Sequence, residues 1–481
     1  MLKLKSLEKS RDFWFLLFTS VFFFFLRLPS LFEPYWYGDE GIYQTLGIGI
    51  NAGKLLYRDV FDNKPPLLYY IYSFFDSDQF LVRIASLLVG ILSIFLFFYL
   101  AKKILSSKKS VYISTFVFAL LFGLPLIEGN IANAENFMLP FNIAAAILVI
   151  KAIETKNNLK LLFTAGIIIG ISFLVKIVAV FDFAAFLVFL FFYFSTNYRS
   201  FVKNIFPFVL GFGIPISLVA LYFLLSDAFP YFLRATFSNN VGYVGWGNKF
   251  IIPQGLLYLK LGLLGLSVLF LYYKRNILDK THVLVYLWIL FSLFNALFSQ
   301  RPYTHYVLVT LPSLVLLLGL VTLKGKNFMM NAGLLAISLI LLITNFSYYI
   351  KTVRYYPNYI SFIYGGKSVY DYQKFFDGNT PRDYQLAAFL NANLKENENI
   401  FIWGNNAQVY KMTNTLPPGR YSVAYHINNY KDGYENTLQG LKREKPRFII
   451  IMKNTYPYPF DLSGYNQRIN IEGINIYERI Y

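Results

Sequence analysis

Long apolar runs recur along the first 350 positions, and they settle the class of this chain before any single residue does. The first of them, FWFLLFTSVFFFF, begins at Phe13. About 20 apolar helical residues cross a hydrocarbon core roughly 30 Å thick. Inside a bilayer each backbone N–H and C=O must be paired within its own segment, so runs of this length become helices. The 481 residues are 56% hydrophobic and only 15% charged, against about 25% charged in ordinary soluble domains. Mean hydropathy is +0.47. Eleven spans are expected, near 13–32, 80–100, 111–127, 137–153, 160–176, 178–195, 205–226, 256–273, 282–299, 305–322 and 328–350. The expected fold class is therefore a mostly α, polytopic membrane protein.

The formal charge of +18 would suit a nucleic-acid binder, but its distribution does not. The lysines and arginines gather in short loops between apolar runs. With the N-terminus in the cytoplasm, the inner loops carry 18 of them and the short outer loops 7. That asymmetry is the positive-inside pattern. The expected location is the cell membrane, with a cytoplasmic N-terminus and an extracytoplasmic tail. Nucleic acid is not an expected partner. Residues 3–11, KLKSLEKSR, precede the first run as in a signal peptide, but no small-x-small cleavage site follows. An uncleaved first helix is expected, with a removed signal peptide as the alternative. The chain has no cysteine and three histidines, so disulfides are excluded and a multi-histidine metal site is not expected. Arg27 and Arg83 lie near outer span ends and read as snorkelling cations.

Texture changes after about residue 350. TPRDYQLAAFLNANLK reads as a helix with Thr380 as N-cap and Pro381 in its first turn. NIFIWG, RFIIIM and INIYERIY read as strands. Two domains follow from this: 1–350 in the membrane, with helices in the outer loop 33–79, and a small α/β domain over 351–481 on the outer side. The acids are skewed outward. Glu33, Asp39, Glu40, Asp59, Asp62, Asp76, Asp78, Glu128 and Glu135 all fall on the expected outer side. Because acids contribute little to topology, the skew means either solvated loops or a site.

The outer loop contains GDEGIYQ, then AGKLLYRDVFDNKPPLLYYIY. This order of an acidic pair, a Tyr, Gly-x-x-x-Tyr and Lys-Pro-Pro resembles the first periplasmic loop of the protein O-mannosyltransferase and aminoarabinose transferase superfamily. NAENFMLPF, with Glu135, and RPYTHYVLVTLPSLVLLLG, with Arg301, His305 and Tyr306, resemble two further segments of it. The likeness runs over roughly residues 10–320. It implies the GT-C fold and a glycosyltransferase that takes its sugar from a polyprenyl-phosphate carrier. It also implies site residues: Asp39, Glu40 and Glu135 as catalytic acids, and Lys64, Arg301, His305, Tyr306 and Tyr43 as ligands of the lipid phosphate. Some aminoarabinose transferases carry a metal-binding Glu just before Lys-Pro-Pro. Asn63 stands there in this chain, so a divalent metal is not indicated and no cofactor is assigned.

The chemistry asks for these residue types. An acceptor hydroxyl needs a general base, for which Asp39 is the candidate. A single displacement would invert the anomeric carbon. The departing phosphate needs cations or donors directed at it, and arginine and lysine supply them differently. These groups are expected around one lipid headgroup in the outer leaflet, with a glycan, lipid or protein as acceptor. Lys176 and Asp182 read equally as a structural ion pair or as part of a site. The loop TFSNNVGYVGWGNKF, 236–250, reads as a lid or as an ordinary flexible loop. The competing function is a transporter or lipid flippase. Transporters favour ionisable residues near the bilayer midplane within repeated halves. No repeat is visible here, and the charges mark span ends.

Overall fold

The computed structural model describes residues 11–155, 158–194, 198–240 and 255–480. Among them, nine helices are long and apolar enough to cross a membrane. Two shorter helices, Lys108–Gly123 and Leu159–Val175, occupy the third and fifth expected spans. The chain is a multi-pass membrane protein. It divides into two compact units. One comprises Met1–Ser30, Ile84–Tyr222 and Phe237–Thr352. The other comprises Leu31–Arg83, Phe223–Thr236 and Val353–Tyr481. The long first outer loop is thus grouped with the tail rather than with the spans that follow it. Most of the 236–250 loop lies outside the described residues.

In the first unit, small residues let helices approach closely. Gly166 and Gly170, four apart in GIIIG, share one face of Leu159–Val175. They meet the backbone of the Tyr198–Leu225 helix, and a Cβ on Gly170 would lie 2.6 Å from the Phe212 carbonyl oxygen. Lipid offers no hydrophobic driving force between helices, so close van der Waals contact at small residues supplies it. Some polar groups buried among the helices are paired. The Asp182 carboxylate accepts from Trp288 Nε1 at 2.6 Å and Asn142 Nδ2 at 3.0 Å. Arg27 does not snorkel. It is fully buried, and its Nη2 donates to Ser86 Oγ at 3.2 Å and to the Asn130 carbonyl at 3.3 Å.

The second unit holds a four-stranded sheet: β1 (Ile400–Trp403), β2 (Phe448–Ile451), β3 (Tyr465–Ile471) and β4 (Ile474–Arg479), in the order β1-β2-β4-β3. β1 and β2 are parallel; β4 runs antiparallel to both β2 and β3. IFIW in β1 is buried at every position, as expected of a parallel strand covered on both faces. Leu386 and Leu390 of the Thr380–Asn393 helix, with Val409 and Tyr410 of the Gln408–Thr413 helix, join Ile400, Ile402, Phe448, Ile450, Ile474 and Ile476 in one apolar core. The outer-loop helix Gly38–Asn51 packs into the same unit. Gly41 makes this possible, because a Cβ there would meet the Gln408 backbone nitrogen at 2.5 Å. Thr45 Oγ1 seals the contact, donating to the Ala407 carbonyl at 3.1 Å.

Candidate active site

The paired acids open the Gly38–Asn51 helix, both in its first turn. Consecutive residues on a helix point about 100° apart, so the two cannot share an environment. Asp39 faces outward, with its side chain about one-third exposed (34%). Its Oδ2 accepts from the Tyr43 hydroxyl at 3.0 Å, one turn along. Glu40 turns inward. Its two oxygens take the Arg83 guanidinium bidentately, at 3.1 Å from Nε and 2.5 Å from Nη2. Arg83 also reaches Glu33 Oε2 at 3.1 Å, with all three groups buried. Glu33 accepts further from Trp36 Nε1 at 2.7 Å and from the Tyr355 hydroxyl at 2.5 Å. Arg83 is therefore a buried counter-ion, not a snorkelling group.

Lys64 Nζ lies 3.5 Å from Asp39 Oδ2 and 3.5 Å from Asp62 Oδ2, and 4.8 Å from the centroid of the Tyr43 ring. Its position is built from both ends of the residue. The Lys64 N–H donates to Tyr69 Oη at 3.1 Å, while the Tyr57 hydroxyl donates to its carbonyl at 2.7 Å. Pro65 and Pro66 follow and lead straight into the Leu67–Phe74 helix. Proline fixes φ near −65°, which stiffens the segment carrying the lysine. Asp62 is almost fully buried and held in turn. It accepts from the Tyr69 hydroxyl at 2.8 Å and from the Asn63 N–H at 2.8 Å, and His426 Nε2 is 3.7 Å away. Burial first, then Asp39 and Asp62, push the Tyr43 phenol well above its usual range; burial and Asp62 do the same to Tyr69. Both stay hydrogen-bond donors at neutral pH. Burial pulls the His426 imidazole down to about 4, so it is neutral beside the carboxylate.

The first unit carries a second cluster. Glu135 lies in the first turn of the Ala134–Glu154 helix and pairs with Lys176, which caps the Leu159–Val175 helix. Lys176 is thus the partner of Glu135, not of Asp182. Its Nζ is 5.0 Å from the Tyr306 ring centroid. His305 presents Nδ1 to Glu128 Oε2 at 2.9 Å and Nε2 to Glu135 Oε1 at 3.9 Å. Glu128 has φ of +59°, a left-handed conformation uncommon outside glycine. Arg301, half-buried, lies four residues before His305. Asp39, Glu40, Tyr43 and Lys64 therefore belong to one unit, and Glu135, Arg301, His305 and Tyr306 to the other. Among the described residues no group of three or more His, Asp or Glu side chains is arranged to hold a metal ion.

Residues 63–223 match the model of a family described as dolichyl-phosphate-mannose-protein mannosyltransferase. The crystal structure of ArnT from Cupriavidus metallidurans bound to undecaprenyl phosphate aligns over 98% of this chain and 99% of its own, at 11% identity and a TM-score of 0.52. The chain has the GT-C fold. The archaeal oligosaccharyltransferase AglB from Archaeoglobus fulgidus also aligns, over 92% of this chain and 69% of its own, at 12% identity and a TM-score of 0.49. No curated protein matches. The family match takes in Lys64, Glu135 and Lys176; Asp39, Glu40, Tyr43, Arg301, His305 and Tyr306 lie outside it.

Sequence reasoning assigned no role to Asp62, His426 or Glu128. For Asp62 a signal existed: it stands two residues before Lys64 in the same motif. His426 has no such neighbour in sequence and is brought in by the fold of the tail.

Proposed function

We propose that this protein transfers a sugar from a polyprenyl-phosphate carrier to an extracytoplasmic acceptor, with inversion at the anomeric carbon. One observation carries the proposal: a partly exposed carboxylate, Asp39, stands 3.5 Å from a lysine whose charge is already matched by a second, buried carboxylate, Asp62. The lysine is thus held at the site without neutralising Asp39 alone. Asp39 is the base. It takes the proton of the acceptor hydroxyl as that oxygen bonds to the anomeric carbon, and the bond from that carbon to the phosphate oxygen breaks. Lys64 supplies positive charge, and the Tyr43 hydroxyl directs the Asp39 carboxylate. Glu40 anchors the helix through Arg83, which points to a supporting role beside Asp39. In the first unit, Arg301, His305 and Tyr306 are the proposed phosphate ligands. Glu135, paired with Lys176 and 3.9 Å from His305 Nε2, stands beside them. ArnT, a fold relative over its full length, binds undecaprenyl phosphate, which supports a lipid phosphate as the donor's carrier. The loop charges support a cytoplasmic N-terminus.

The test is to incubate the purified chain with a panel of polyprenyl-phosphate sugars and measure release of polyprenyl phosphate. Asp39→Asn should lower turnover about 10²–10⁴-fold, the usual contribution of a positioned general base. Turnover unchanged in Asp39→Asn removes Asp39 from the base role. No release from any donor, with measurable transbilayer solute movement, replaces the transferase by a transporter.

A further inference from the structure

The second unit contains a polar groove that the proposed chemistry does not use. Its volume is about 560 Å³, within the range of pockets that hold small ligands. It lies where the C-terminal end of the Gly38–Asn51 helix meets two loops, one following the Thr380–Asn393 helix and one following the Gln408–Thr413 helix. We propose that this groove binds the acceptor, and that the acceptor is a glycan chain. The proposal rests on the transferase reading above and names its acceptor class.

The lining decides the ligand. Four asparagines, Asn391, Asn397, Asn399 and Asn414, line it. An amide offers both donors and acceptors, so it matches hydroxyls that do the same. Thr413 and Thr415 also line it, their hydroxyls hydrogen-bonded to each other at 2.8 Å. Lys54 and Lys395 are set against Glu396, Glu398 and Glu444. Charges so nearly balanced give a polyanion or a polycation little net attraction. Among the described residues no aromatic ring lines the groove, and Ile48, Leu394 and Leu416 provide only narrow apolar edges. An apolar side chain of a peptide, or a lipid tail, therefore has no pocket to fill. A neutral polyhydroxyl chain uses what is there.

Position argues for a chain rather than a single sugar. Asp39 opens the helix and the groove closes it. At 1.5 Å rise per residue, Asp39 and Asn51 are about 18 Å apart along the axis. The helix is rigidly seated between them: Gly41 touches the Gln408 backbone, and a Cβ on Gly47 would meet the Ser73 nitrogen at 3.0 Å. An acceptor held in the groove while its hydroxyl meets Asp39 must extend over that length, which a monosaccharide headgroup does not. The geometry thus acts as a minimum-length requirement.

The experiment uses the full chain in nanodiscs. Binding is measured by calorimetry against neutral linear glucose and mannose oligomers, from mono- to heptasaccharide, against Ser/Thr peptides, and against undecaprenyl phosphate. Two variants at exposed positions, Asn391→Trp and Lys395→Trp, fill the groove; undecaprenyl phosphate binding serves as their folding control. The expected result is oligosaccharide binding that strengthens with chain length and weakens at least about tenfold in both variants, with undecaprenyl phosphate binding unchanged. Oligosaccharide affinity equal to wild type in both folded variants overturns the proposal. So does undecaprenyl phosphate binding with no oligosaccharide binding, or peptide binding that the same variants abolish. Length-dependent glycan binding lost in the variants, without any undecaprenyl phosphate binding, supports the groove's ligand and overturns the donor reading instead.

Discussion

Arg83 offers the sharpest test of how the acidic pair is held. Arg83→Met keeps the length of the side chain and removes its charge. Two carboxylates then remain buried, Glu33 at 5% and Glu40 at 2% exposure. Removing one partner of a buried ion pair typically costs about 3–5 kcal/mol, because the other charge is left uncompensated. Here the loss should fall at the lower end for Glu33, which keeps the Trp36 indole and the Tyr355 hydroxyl. Glu40 loses both guanidinium hydrogen bonds and keeps one with the Tyr72 hydroxyl. About 3 kcal/mol is therefore the expected destabilisation. In a body of roughly 200 residues, each kcal/mol shifts Tm by about 2–4 °C, so the drop should be on the order of 6–12 °C in a thermal melt of the solubilised protein. The double variant Arg83→Met/Glu40→Gln removes the stranded charge and should recover part of it. A single-variant shift below about 2 °C, or a double variant less stable than the single, would refute the claim that Arg83 compensates two buried acids.

Three further outcomes follow from the same cluster. Asp62→Asn keeps one acceptor oxygen, so only one of the bonds from Tyr69 and the Asn63 N–H survives, and it removes the charge facing Lys64; a stability loss of about 1.5–3 kcal/mol in a denaturant titration is expected, with donor turnover reduced alongside it. Glu40→Gln should lower stability and activity together, whereas Asp39→Asn should lower activity with the melting temperature held; the pair of melts separates anchor from base. His426 is buried with its folded pKa near 4, below the usual 6.5, so the unfolded chain binds more protons between those values and stability must fall as pH drops from about 6.5 through 4. The full effect is about 3 kcal/mol at 1.36 kcal/mol per pKa unit, and His426→Phe should flatten that portion of the pH–stability curve relative to wild type.

The spans were legible because the bilayer imposes a length and a composition on each, and these survive in the sequence without any tertiary information. Among the described residues nine helices meet both conditions, and two shorter ones, Lys108–Gly123 and Leu159–Val175, still stand where the runs place them. The tail was legible in part. The three apolar strands were visible; β3, reading YNQRINI, was not, because it is a sheet edge with mostly exposed positions and carries no continuous apolar run. The helix there starts at Thr380, with Asn379 in the preceding position and no side-chain cap bond. That residues 31–83 pack with the tail was hidden, since the contacts that do it, Thr45 to Ala407 and the Phe61 N–H to the Arg420 carbonyl, join positions hundreds of residues apart.

The cluster's chemistry shows where local reasoning ends. A helix puts 100° between neighbours, so Asp39 and Glu40 meet different surroundings; the buried Ile42, Tyr43 and Leu46 stand three, four and seven residues after Asp39, so helical spacing alone would give Asp39 the packed side, and it is the Arg83 partner that draws Glu40 inward. Snorkelling, the expectation for arginines at span ends, follows from depth and not from partners. Yet Glu33 and Glu40 lay within the same outer loop, and a cation entering the protein beside two acids has a lower-energy alternative to water: a bidentate pair with hydrogen bonds to spare. Asp62 makes the same point from the other side. An acid two residues from a lysine, before two prolines and followed by two tyrosines, is placed to neutralise that lysine. From its buried position it holds Lys64 at 3.5 Å, the same distance at which Lys64 stands from Asp39.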